Sequence, residues 1–132
     1  MNRNLPNLEF SYNWNNKLFC KYFTTFRTYI KDKYVIYGIY NIILLNGSNK
    51  YFFGYGEIIS LKHDLIENFP EHDFVLDTGY SKVTSLKIFQ NIYMNKNINF
   101  DKQHFCQLTI YNNSFSELIG IKNDINKLLL NK

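Results

Sequence analysis

The sequence has two cysteines, two prolines and three histidines, and it has no long apolar run. Two cysteines, Cys20 and Cys106, make neither a disulfide framework nor a zinc site. They are expected to be reduced, partly buried thiols of an intracellular protein. His63, His72 and His104 stand at no ligand spacing with one another or with the cysteines, so neither a metal centre nor a cofactor is expected. No stretch approaches the roughly 18–20 apolar residues that cross a bilayer. The Asn-rich start also lacks the apolar centre of a secretory signal. A cytoplasmic protein without a membrane partner is the expectation. No phosphate-cradling Gly-rich loop, Ser-His-Asp signature, internal repeat or low-complexity linker interrupts the chain. Residues 1–132 therefore read as one domain, large enough to bury a core.

What is present is aromatic and unevenly charged. Tyr and Phe, 11 and 12 of them, supply nearly all the rings, beside a single Trp. Asn, Ile, Lys and Tyr are over-used, the imprint of an AT-rich genome, so the net charge of +4 by itself says little about partners. Its distribution says more. Residues 1–50 carry seven cations (Arg3, Lys17, Lys21, Arg27, Lys31, Lys33, Lys50) against Glu9 and Asp32, a balance of +5, whereas residues 51–132 carry eight Lys against nine acids. The excess points to an anionic partner meeting the N-terminal third.

That third contains Asn13-Trp14-Asn15-Asn16-Lys17-Leu18-Phe19-Cys20-Lys21-Tyr22-Phe23-Thr24-Thr25-Phe26-Arg27. Asn15-Asn16 suits a tight turn, because Asn tolerates positive φ. Leu8 to Trp14 alternates apolar with polar, so a hairpin is expected, with Lys17–Cys20 returning as the partner strand. Phe23–Arg27 continues either as strand or as a short helix. Lys21, Thr24, Thr25 and Arg27 place cations and hydroxyls close together, a set suited to a phosphate or nucleobase.

Residues 1–7 read as a loose polar leader. After a charged turn at Lys31-Asp32-Lys33, Tyr34–Leu45 has strand composition, with Gly38 as a bulge or bend. Asn46-Gly47-Ser48-Asn49 is the strongest hairpin signal, and Lys50–Leu61 returns. Gly54 and Gly56 share one face of that arm, where they permit tight curling or close approach of another group. Lys62–Pro70 reads as a short helix or turn, and His72–Asp77 as a brief apolar piece leading to Thr78-Gly79. Ser81 is placed to cap a helix from Lys82 to about Asn95, with Val83, Leu86, Phe89 or Gln90, and Tyr93 on its buried face. His104–Tyr111 is a last strand. Leu118, Ile121, Ile125, Leu128 and Leu129 then suggest a C-terminal helix over about residues 114–130.

Several of these segments together resemble the motifs of ASCH domains, over roughly residues 12–111. They are Thr25-Phe26-Arg27 after a basic residue, Tyr34-Val35-Ile36-Tyr37-Gly38, Gly54-Tyr55-Gly56-Glu57-Ile58-Ile59, and Leu76-Asp77-Thr78-Gly79-Tyr80-Ser81 before a helix. The Trp-Asn-Asn-Lys-Leu variant resembles small phage and prophage members. The resemblance implies an α+β fold, a small PUA-like β-barrel with a central and a C-terminal helix, and an RNA- or nucleotide-directed function. It also implies a basic groove between the opening hairpin and the turn before the central helix. There Lys17, Lys21, Thr24, Arg27 and Lys31 would contact phosphate or base edges, and Trp14, Tyr22 or Tyr80 would stack a base.

The bacterial acetylcytidine amidohydrolases of the family imply a catalytic alternative. They pair a Lys and a Thr of the opening motif with a carboxylate before the central helix: a hydroxyl attacks an amide, an amine takes its proton, and a carboxylate assists. Carried over, the Thr is Thr25 and the carboxylate is approximated by Asp77, an Asp where the family has Glu. The family's Lys falls at Tyr22; Lys21 is one residue off and Lys17 lies across the expected turn. A one-residue slip on a strand sends Lys21 to the wrong face. An Asp77–Arg27 ion pair is compatible with binding and with catalysis. A non-catalytic factor that binds a host protein is the third class, which an exposed aromatic patch away from the groove would favour.

Overall fold

The structure is a computed structural model that describes residues 1–94, 96 and 98–114; the expected C-terminal helix falls almost wholly outside these residues. Among these residues the fold is α+β, a five-stranded mixed sheet with two helices. The strands are β1 (Asn7–Phe10), β2 (Tyr22–Thr28), β3 (Ile39–Asn46), β4 (Asn49–Leu65) and β5 (His104–Asn112); the helices are α1 (Glu71–Thr78) and α2 (Lys82–Tyr93). Their order across the sheet is β1-β3-β4-β5-β2, with β1 parallel to β3 and all other neighbours antiparallel.

Among the described residues the sheet is open. Its edges, β1 and β2, share no ladder, so strand pairing there does not close the expected barrel. The edges nevertheless face each other. The Phe10 and Phe23 rings meet edge to face at 5.8 Å, and Arg27 Nη2 donates to the Glu9 carbonyl at 2.7 Å. The strand curl comes from β-bulges between Asn41 and Ile43 and between Ile58 and Ser60. It also needs Gly56, where a Cβ would lie 2.7 Å from Ile110 Cγ2 and 2.8 Å from Ile42 Cδ1.

The concave face holds Leu8, Phe10, Phe23, Tyr40, Ile42, Ile58, Cys106, Leu108 and Ile110, together with Leu18. The other face packs Phe26 and Phe105 against Ile66, Phe69, Phe74 and Phe89. Burying each such Phe contributes about 2–3 kcal/mol. The alternation along β2 explains the two layers: Phe23 and Thr25 point one way and Phe26 the other.

Several expectations give way. The opening hairpin is absent: β1 stops at Phe10, and Trp14–Phe19 forms a 3-10 helix in place of a returning strand. Asn13 Oδ1 accepts from Leu18 N–H at 2.9 Å, and Asn16 has the positive φ expected of it, 53°. The turn this makes drives Leu18 into the concave core and turns Lys17 inward, which a flat hairpin could not do. Residues 1–7 are not a loose leader. The buried Asn41 amide donates to the carbonyls of Asn2 and Leu5 and to Asn7 Oδ1. Tyr34–Gly38 is a loop before β3, not part of it. His72–Asp77 lies in the helix α1, started after Pro70 and ended by Gly79 at φ 81°. Ser81 does cap α2, its hydroxyl accepting from Thr84 N–H. Val83, however, is 65% exposed and Ser85 takes the buried position. The Asn46–Asn49 turn forms as expected, with Gly47 at φ 62°.

Candidate functional site

Lys17 is the centre of the site. The 3-10 helix holds its backbone, and its ammonium runs inward to Asp77 Oδ1 at 2.6 Å and the Thr24 carbonyl at 2.9 Å. Nζ also lies 5.6 Å from the ring centroids of both Phe10 and Trp14. Side-chain exposure at the pair is 5% for Lys17 and 2% for Asp77, so this ion pair is desolvated rather than superficial. Asp77 reaches it from the last turn of α1, and the Phe26 backbone N–H donates to its carboxylate as well. The spare N–H exists because β2 is an edge strand.

Burial dominates the electrostatics. It pushes the Lys17 ammonium below its ordinary range and the Asp77 carboxyl above its own. Each is partly restored by the other's charge and by their shared hydrogen bond. Burial thus works against both charges, and the 2.6 Å ion pair with its shared hydrogen bond works against that penalty.

In front of Lys17 is a half-open cleft of about 440 Å³, at the seam between β1 and β2 and beneath the end of α2. Lys17, Thr25, Arg27, Trp14, Tyr93 and Lys96 are among its walls. The Thr25 hydroxyl makes no side-chain hydrogen bond among the described residues, although Thr25 is only 5% exposed. Arg27 lies over the Phe10 ring at 4.7 Å; its Nη2 is taken by the Glu9 carbonyl, and its buried Nε has no partner among the described residues. Trp14 is stacked on Tyr12 at 5.1 Å and 11°. Burial holds the Tyr93 phenol above its ordinary range, so it remains a hydrogen-bond donor at neutral pH.

Of the residues singled out in the sequence, Thr25, Lys17, Arg27 and Trp14 line the cleft, and Asp77 stands directly behind Lys17. The others do not join them. Lys21 is exposed, its Nζ 5.7 Å from the Tyr22 ring, so the amine beside Asp77 belongs to Lys17. Thr24 contributes its carbonyl; its hydroxyl, on the opposite side of β2 from Thr25, is buried without a partner among the described residues. Tyr80 is 50% exposed and outside the cleft, since Gly79 turns the chain away and Thr78 Oγ1 receives Tyr80 N–H at 3.0 Å. The ion partner of Asp77 is Lys17 rather than Arg27. Lys31 and Tyr22 likewise line no part of the cleft. Sequence reasoning missed Phe10, Tyr93 and Lys96. The end of an amphipathic helix beside a cationic motif was the available signal for the last two.

Comparison with protein-family models, with curated proteins and with solved structures finds no match to the chain. Among the described residues no helix is long and apolar enough to cross a membrane.

Proposed function

We propose that the cleft binds a nucleotide, free or as one residue of single-stranded RNA. The observation that carries this reading is the meeting of Lys17, Arg27, an unengaged Thr25 hydroxyl and the Trp14 ring in one half-open cleft of about 440 Å³. That volume suits one base with its sugar. A ring face, a hydroxyl and the Arg27 guanidinium, with Lys96 also in the wall, are what a base edge and a phosphate require. The PUA-like, ASCH-type reading of the fold is supported by the curled mixed sheet with helices packed on one face and the cleft at its seam.

Binding of nucleoside monophosphates and of a short single-stranded RNA tests the proposal. Arg27→Ala weakens binding and Lys21→Ala leaves mononucleotide binding unchanged, with an affinity for RNA that falls as salt rises. Absence of binding, or equal binding by both variants, refutes it.

The contact between Lys17 and Asp77 favours a second reading, hydrolysis of an acylated nucleoside such as acetylcytidine in the same cleft. Thr25 Oγ1 attacks the amide carbonyl and gives its proton to the Lys17 amine, whose own proton has passed to Asp77. The amine of cytidine leaves with a proton from the pair, and water then releases acetate from Thr25. Release of acetate by the wild type, abolished in Thr25→Ala, is the expected result. Turnover that survives Thr25→Ala excludes Thr25 as nucleophile, and no turnover by the wild type leaves the binding reading alone.

A further inference from the structure

Two of the three histidines, 41 residues apart in sequence, are brought together by the register of β4 and β5. His63 lies opposite Cys106, and His104 lies two residues before Cys106 on the same face of the ladder. Their Nδ1 atoms are 3.0 Å apart. The His63 ring is laid flat on Tyr29, at 3.9 Å between centroids and 3° between planes, which restrains its rotation. Both histidines are exposed, and neither lines the cleft.

We propose that His63 and His104 form a two-nitrogen chelate for a divalent transition-metal ion. Without metal, one neutral imidazole donates Nδ1–H to the other's Nδ1. When the ion binds, the donor ring's proton passes through solvent to its own Nε2, and both Nδ1 lone pairs turn to the metal. Two neutral rings therefore release no net proton.

With metal–nitrogen bonds of about 2.0–2.1 Å, two nitrogens about 3.0 Å apart are within reach of one ion. The usual affinity order at such donors puts Cu2+ first. Imidazole nitrogens suit Ni2+, Cu2+ and Zn2+ as donors. Asp64, the nearest carboxylate in sequence, is engaged elsewhere, accepting from Leu65 N–H and Asn68 Nδ2. Among the described residues no cluster of three metal-binding side chains forms, so water or a small exogenous ligand fills the remaining positions.

Calorimetric titration of the full chain with NiCl2, CuCl2 and ZnCl2 tests the site. One ion binds per chain, Cu2+ most tightly. His63→Gln or His104→Gln weakens binding by roughly a hundredfold, the loss of one arm of a chelate, and His72→Gln does not. In the wild-type protein, substoichiometric Cu2+ broadens the NMR signals of Tyr29, His63 and His104 first, a readout independent of how the variants fold. Unchanged affinity in either single variant, broadening centred elsewhere, or no saturable binding overturns the proposal.

Discussion

Replacing Lys17 and Asp77 singly and together gives the sharpest view of the site's energetics. Both side chains are almost completely buried, 2.6 Å apart, and each is the charge that makes the other tolerable. Lys17→Met leaves a carboxylate in apolar surroundings with only the Phe26 N–H to support it; Asp77→Leu leaves an ammonium with only the Thr24 carbonyl and two ring faces. Removing one partner of such a pair costs about 3–5 kcal/mol, whereas replacing both by apolar groups of similar size is near neutral or stabilising. On a chain of 132 residues each single change lowers Tm by roughly 10 °C or more. The double variant recovers most of that.

The pH dependences of the two single variants have opposite signs. In Lys17→Met, the folded pKa of Asp77 lies above the usual 3.8, so the folded state holds the extra proton and stability falls as pH rises through that folded value. In Asp77→Leu, the folded pKa of Lys17 lies below 10.5, so the unfolded chain holds the extra proton and stability rises with pH towards 10.5. Urea denaturation of the four proteins at acid, neutral and alkaline pH measures both effects. Single variants within about 0.5 kcal/mol of the wild type at neutral pH, the size of an exposed pair, would refute a buried Lys17–Asp77 contact.

Three further outcomes follow from the fold. Gly56→Ala drives a methyl into Ile110 and Ile42 and lowers stability by about 1–3 kcal/mol, measured by urea denaturation. Gly79→Ala forces a Cβ into the left-handed conformation that ends α1 and costs about 1 kcal/mol in the same assay. The Cys106 thiol, which burial pushes up to about 11, stays unlabelled by a thiol reagent near neutral pH until the protein unfolds, while exposed Cys20 reacts at once.

Local chemistry made much of the fold legible. The Asn46–Asn49 turn and the Ser81 cap each depend on residues adjacent in sequence, and each is where the pattern puts it; the last strand, His104–Asn112, also lies where strand composition put it. The opening stretch was harder. Its alternation continues through Tyr12 and Trp14, yet these rings stack on each other outside the strand because Leu18 is worth more in the concave core than as part of an edge hairpin. That choice also decided the site. On a returning strand Lys17 would have alternated with its neighbours, and the short 3-10 helix instead aims it at Asp77. Asp77 was found for its place before a helix, but its partner was fixed by the packing of α1 on β2, which no local pattern reports. The His63–His104 contact was equally hidden, since strand register alone creates it.

Trp14 is the single tryptophan of the chain and lines the cleft, so its fluorescence reports directly on occupation of the site. Titration with nucleoside monophosphates and a short single-stranded RNA is expected to quench or shift the Trp14 emission saturably, with a weakened response in Arg27→Ala. Emission that stays unchanged through millimolar nucleotide, while the protein remains folded, would contradict a base-binding cleft at the β1–β2 seam.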